Sequence, residues 1–463
     1  MNSTDTLART DLPHPGSDHA GRRRRTTALA ALVSAQFVVM LDTSIVNVAL
    51  PSIQADLGLD ATSLSWVVNA YVVTFGGLLL LFGRVADLLG RRRVFTAGSA
   101  VFTVGTLLAA AANHESVLVA GRIVQGAGAA ALAPAAMALL LVNFPGEHRA
   151  RAMSLWGAAS TVGGATGVFA GGLLTGAFGW SSVFLVTVPV SVAAAFSATR
   201  VLNDSPPVPG RRFDLLGAAL VTAAVVALVQ GALGAVEGEW TSPRAVIGLS
   251  AAVGLLAAFV AVERRVPDPL VPLHLFRSPV LSTGVALAVL GGAARASTFV
   301  LVALYVQKAL RMSPELGGLA MVPTSVAGFV VSLTLLPRVL RAVGPRRSLV
   351  VGLTVLAGGH LWLAHGPADA AYPVAVLPGL LLVATGVALS FTPTTMVIAS
   401  AAPDSHAGLA SGLASSATQV GAALGTAVLT AIALSGAGFS AAFTAAAGTA
   451  LVTALLGSTI VRR

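Results

Sequence analysis

The chain has 463 residues, 56% of them hydrophobic and 10% charged, with a net charge of +10 and no cysteine. So little charge excludes an ordinary soluble domain, which carries about 25%. The missing cysteine excludes a disulfide framework, a cysteine nucleophile and a thiolate-held metal.

Nucleic acid binding needs an accessible basic patch, whereas here the positive charge is strung between apolar runs. The chain therefore reads as an all-α polytopic membrane protein. A span needs about 20 apolar residues, and runs of that kind fall near 27–50, 63–83, 94–112, 116–143, 151–177, 181–200 and 213–234. They continue near 243–263, 279–306, 315–337, 346–365, 371–400, 405–433 and 436–460. Fourteen spans place both termini on one side of the membrane. Residues 1–26 are polar, end in Arg22–Arg25 and lack a convincing cleavage site, so the first span reads as retained rather than as a signal peptide.

Positive residues favour cytoplasmic loops. With the N-terminus in the cytoplasm, 23 of the 28 basic residues fall on that side, among them Arg84, Arg91–Arg93, Arg264, Arg265, Arg346 and Arg347. Arg244, Lys308 and Arg311 fall outside, and Arg122 and Arg295 lie within spans. The loop near Asp404 carries no arginine. Trp66, Trp180, Trp240 and Trp362 sit at outer span ends, as an aromatic belt does.

The segment after span two reads Gly83-Arg84-Val85-Ala86-Asp87-Leu88-Leu89-Gly90-Arg91-Arg92-Arg93 and continues to Gly98. Shifted by 254 residues, Arg338, Val339, Gly344, Arg346, Arg347 and Gly352 repeat Arg84, Val85, Gly90, Arg92, Arg93 and Gly98. Parallel six-helix repeats with a site between the halves are one transporter construction. The offset pairs span ten with span two and leaves two extra helices, assigned to 213–263. The expected division is a 1–26 tail, a 27–200 half, a 201–278 linker with the extra helices, and a 279–463 half.

These motifs resemble the major facilitator superfamily, and within it the fourteen-helix drug:proton antiporters that include multidrug and antibiotic exporters. Leu41 to Pro51 resembles that family's first-helix motif, Gly83 to Arg93 its loop motif and Arg122 to Gly128 its coupling motif. Gly163, Gly167, Gly171 and Gly172 resemble the antiporter motif, with Val168 where a proline is usual and Leu88 where the loop motif has a basic residue. The resemblance implies export of hydrophobic or amphipathic drugs in exchange for protons, by a monomer in the cell membrane. The arginine-rich, nearly lysine-free composition is that of a GC-rich genome such as an actinomycete's. A symporter or facilitator of a small metabolite is the alternative that Val168 supports.

Asp42, Arg122 and Arg295 are the formal charges well inside spans, and such groups are functional candidates by default. A rise of ~1.5 Å per residue puts them ~13, ~9 and ~16 Å below the outer ends of their spans, a similar depth from which they can meet across one cavity. Asp42 is the candidate proton carrier, because drying raises a carboxylate's proton affinity while a nearby arginine lowers it. A permanent Asp42–Arg122 pair that only joins helices is the competing reading. Asn47, Asn69, Tyr71, Gln125, Arg295 and Gln419 are candidates for the substrate cavity, and His360 for a structural hydrogen bond.

Gly83, Arg84, Asp87, Gly90, Arg91 and Arg92 are expected to form a conformational latch. The second repeat has Arg341 where Asp87 stands, so no matching latch is expected there. Gly163, Gly167 and Gly171 recur every four residues and share a packing face. No metal-ligand cluster, nucleotide-binding loop or paired carboxylates of an enzyme can be read, and no cofactor is expected.

Overall fold

The computed structural model describes residues 15–202, 214–237, 240–312, 314–365, 372–401, 407–434 and 436–461. The stretch 203–213, the loop around Asp404 and the terminal Arg462 and Arg463 lie outside the described residues. Lipid cannot hydrogen-bond a backbone, so a chain this apolar satisfies its peptide groups within helices.

Seven helices come first: α1 (Pro15–Leu57), α2 (Ala61–Leu89), α3 (Arg91–Ala110), α4 (Glu115–Asn143), α5 (Glu147–Phe178), α6 (Ser181–Leu185 continuing as Thr187–Val201) and α7 (Leu215–Glu237). They are followed by α8 (Pro243–Glu263) and α9 (Pro279–Leu304). The stretch Pro314–His365 has 52 residues, but Gly344 within it has φ 76° and ψ 172°. A straight helix of that length would reach ~78 Å, far beyond the ~30 Å hydrocarbon core. It is two spans, α10 (314–343) and α11 (345–365). The last three are α12 (Leu377–Ser400), α13 (Ala407–Leu434) and α14 (Gly438–Val461).

Among the described residues, twelve helical stretches are long and apolar enough to cross a membrane, and α5, bent by 43° between His148–Gly164 and Phe169–Phe178, makes a thirteenth. Dividing Leu319–His365 at Gly344 gives the fourteen spans read from the sequence.

Two boundaries differ from the hydropathy reading. The helix of α1 begins at Pro15 rather than near Thr27, so part of the expected polar tail is helical. Arginine is a good helix former, and Arg24 Nε donates to Val201 O at 3.1 Å, capping the end of α6. The expected loop from Gly83 to Arg93 is mostly helix, since α2 runs to Leu89 and α3 starts at Arg91. Hydropathy marks where charge begins, and the charged turns beyond that point stay helical. Gly90 alone makes the turn, at φ 102°, and Gly344 at the aligned position is also left-handed, at φ 76°. The repeat in the sequence is therefore a repeat in backbone conformation.

Helix pairing repeats as well. In the first half α1 packs on α5 and α3 on α4; in the second α9 packs on α13 and α11 on α12. The halves meet where α2 lies against α13 and α5 against α10. The extra helices α7 and α8 pack on each other, and α7 lies against α2 and α13. Thr222 Oγ1 of α7 donates to Gly77 O of α2 at 3.0 Å. The apolar surface points outward, with Ile247, Val253, Phe178 and Leu455 each more than two-thirds exposed, as lipid solvent permits.

Candidate functional site

Four helices of the first half converge on one buried polar cluster. Asp42 of α1 is fully buried, and Arg122 and Gln125 of α4 and Thr106 of α3 are buried with it. Arg122 Nη1 donates to Asp42 Oδ2 at 2.8 Å and to Gln125 Oε1 at 2.7 Å, while Arg122 Nε donates to Val67 O of α2 at 2.9 Å. Gln125 Nε2 donates to Asp42 Oδ1 at 2.7 Å and to Thr106 Oγ1 at 2.9 Å. Arg122 and Gln125 lie three residues apart on one helical face, which is how one helix grips both carboxylate oxygens. The guanidinium also lies over the Tyr71 ring, 4.3 Å from its centroid, and Tyr71 stacks on Phe75.

A carboxylate so placed has two dispositions. Ionised, it is held by a cation and an amide in dry surroundings; protonated, it releases the cation. Breaking such a buried pair by removing one partner costs about 3–5 kcal/mol, so the proton and the arginine compete for the same oxygens.

The structure thus brings together Asp42, Arg122, Gln125 and Tyr71 among the sequence candidates. Arg295 does not join them: it is buried in α9, with its Cζ 5.7 Å from the Phe391 ring centroid. The expectation that all three charges meet is corrected, because the cluster closes within one half. Asn47 is exposed on α1, and its amide donates to Thr43 O at 2.9 Å, one turn back. Asn69 and Gln419 stand partly buried on α2 and α13. His360 lies 2.6 Å from Thr298 Oγ1, in hydrogen-bond contact as expected.

Thr106 and the Val67 carbonyl were not legible in the sequence, since a threonine in an apolar run is ordinary and a backbone oxygen carries no sequence signal. Asp214 and Glu263 were also missed, because one sits beside a linker and the other ends a span. Both are buried, and a Cβ on Gly217 would meet Asp214 Oδ2 and Glu263 Oε1 together. Glu263 Oε2 accepts from Val271 N at 2.9 Å.

At the arginine-rich end of the bundle, Asp87 of α2 accepts from Arg91 Nη2 at 3.1 Å. Its two oxygens also accept from Gly408 N at 2.8 Å and Leu409 N at 2.7 Å. Those amides are orphan donors in the first turn of α13, where a carboxylate is favoured by the exposed N–H groups and the helix dipole. Gly83 permits the approach, since a Cβ there would lie 2.6 Å from Gly408 O. Arg92 Nη1 donates to Leu202 O at 3.0 Å, and Arg84 is buried in the same region. In the second repeat Arg341 is exposed and donates back to Pro337 O, and α5 has no side-chain cap. Among the described residues, the tie from a carboxylate to the first turn of a facing helix is the one that Asp87 makes to α13.

Three of the four motif glycines of α5 face α1. Cβ atoms at Gly163, Gly167 and Gly171 would lie 2.6 Å from Phe37 O, 2.7 Å from Leu41 O and 2.9 Å from Ile45 O. Gly172 is looser against α1: its Cβ would meet only the Val48 side chain, at an ordinary 3.9 Å. Gly167→Val is therefore expected to lower the thermal midpoint of the purified protein, through overpacking of about 1–3 kcal/mol. Gly172→Ala is expected to stay within about 0.5 kcal/mol of the parent. Equal midpoints for the two variants would show that α5 does not ride on α1 at this face.

The Major Facilitator Superfamily family model matches residues 32–426 and, separately, 285–463. The chain is 39% identical over 404 residues to the cephamycin export protein of Amycolatopsis lactamdurans, covering 86% of this chain and 83% of that one. It is 37% identical over 392 residues to the puromycin resistance protein of Streptomyces alboniger, covering 84% and 78%. The crystal structure of the human organic anion transporter MFSD10 superimposes with a TM-score of 0.67 at 15% identity, covering 94% of this chain and 99% of that one.

Proposed function

We propose, from the premise that this chain belongs to the Major Facilitator Superfamily, that it exports amphipathic drugs or antibiotics in exchange for protons. Similarity to proteins named for cephamycin export and puromycin resistance supports the substrate class. The observation that carries the proton half is Asp42, buried with one oxygen held by Arg122 and the other by Gln125. The chain is a multi-pass protein of the cell membrane, and it works as a monomer with both termini in the cytoplasm. Residues 27–200 and 279–463 are the two moving halves, with 201–278 supplying the linker and the extra pair of helices.

Protonation of Asp42 from outside frees Arg122, and the drug leaves the outward-facing cavity. Drug binding from inside and return of Arg122 to Asp42 expel the proton into the cytoplasm. Each proton entering across ~100 mV contributes roughly 2.3 kcal/mol from the electrical gradient alone. Asn47, Asn69, Tyr71, Gln125 and Gln419 supply polar contacts for the passing drug, and Asp87 with Gly83, Arg84, Gly90, Arg91 and Arg92 latches the cytoplasmic end.

Everted membrane vesicles containing the protein are expected to accumulate labelled puromycin when a proton gradient is imposed, and to lose it when a proton ionophore is added. Accumulation that survives collapse of the gradient would overturn proton coupling.

A further inference from the structure

Arg295 takes no part in the Asp42 cluster or in the Asp87 tie. It is 4% exposed, and its Nε, Nη1 and Nη2 are all buried without a hydrogen-bond partner among the described residues. A guanidinium is effectively always charged and presents donors in a planar fork. Burying that charge without a partner is strongly unfavourable, so a fold that keeps it needs a compensating anion at some stage of its cycle.

Its surroundings indicate what kind of anion. The guanidinium lies back over Gly291, where a Cβ would come within 2.7 Å of Nη1. Glycine at that position gives the guanidinium room to lie against the backbone of its own helix. The other neighbour is aromatic: the Phe391 ring of α12, its centroid 5.7 Å from Cζ. Charge and apolar ring are thus adjacent, in the second half of the molecule, on helices that do not carry the proton site.

We propose that Arg295 and Phe391 form a binding site for an amphipathic organic anion, with the guanidinium taking a carboxylate bidentately and the phenyl face taking the attached ring. The site is closed in this conformation and opens when α9 and α12 part during the transport cycle. The proposal rests on the reading of the chain as a small-molecule exporter and names one substrate class for it.

The test uses the full chain purified in detergent, with 2-naphthoate as the probe and 2-naphthamide and sulfate as controls. Naphthoate is expected to raise the thermal midpoint in a concentration-dependent way, while the neutral amide and the inorganic anion do not. Arg295→Gln is expected to weaken naphthoate binding about tenfold or more, and Arg295→Lys to retain part of it. The ligand-free midpoint of Arg295→Gln should not fall below the parent's, because the substitution removes an uncompensated charge. A naphthoate shift that is absent in the parent, unchanged in Arg295→Gln or reproduced by the amide or sulfate would overturn the proposal. So would a fall in the ligand-free midpoint, which would show the guanidinium to be held by the fold itself. No gradient enters this assay, so its failure leaves proton-driven export standing. Loss of puromycin accumulation, conversely, would leave the naphthoate result intact.

Discussion

Asp42→Asn is expected to reach the membrane in normal amount and to show no gradient-driven export above empty vesicles. Asparagine has nearly the volume of aspartate, and its carbonyl oxygen still accepts from Arg122, while the acceptor for Gln125 Nε2 is lost. What disappears is the negative charge for which the proton and Arg122 compete. Arg122 Nε retains its bond to Val67 O at 2.9 Å and its place over Tyr71, which limits the cost of the lost ion pair. Arg122→Leu is a harsher change. It leaves Asp42 buried with Gln125 alone, and a broken buried pair costs about 3–5 kcal/mol. Both variants lose transport and break the buried pair, but Asp42→Asn is expected to lose less thermal stability than Arg122→Leu, because Arg122 keeps its bond to Val67 O. Gradient-driven export by Asp42→Asn would reduce the Asp42–Arg122 pair to a helix tie.

Asp87→Ala is expected to open the arginine-rich end of the bundle. The carboxylate joins α2 to α13 through Gly408 N and Leu409 N and neutralises Arg91. Losing a helix cap costs about 0.5–2 kcal/mol, and losing a hydrogen bond to a charged group about 1.5–3 kcal/mol. A change of about 2 kcal/mol in the closed state alone shifts the open-to-closed ratio ~30-fold. Spin labels at the exposed Leu89, the last residue of α2, and Ser400, the last residue of α12, report the change. The chain has no native cysteine to remove before labelling. Pulsed distance measurements are expected to show one short distance in the parent and a mostly longer one in Asp87→Ala. Identical distributions would show that the latch contributes nothing to gating.

Which parts of this were legible in the sequence follows from what each kind of contact needs. Asp42, Arg122 and Gln125 were legible because a charge inside an apolar run is costly enough to stand out, and because Gln125 shares a helical face with Arg122. The fourteen spans were legible from hydropathy and from the arginines that separate them. Helix ends were not, since the charged turns after Phe82 and before Thr27 remain helical without being apolar. Asp87 stands out in the sequence as a candidate for a tie between helices, but its partners include two backbone amides more than 300 residues away, and amides leave no mark in a sequence. The isolation of Arg295 was likewise invisible. Similar depth along a span does not fix the direction in which a helix presents its residue, and α9 turns Arg295 toward Phe391 instead of toward Asp42.

Drug and proton fluxes recorded together in proteoliposomes test the exchange most directly. With puromycin moving down its own gradient, the parent protein is expected to drive protons in the opposite direction, and Asp42→Asn to exchange puromycin without moving protons. Protons that travel with the drug, or that move as fast in Asp42→Asn as in the parent, would contradict it.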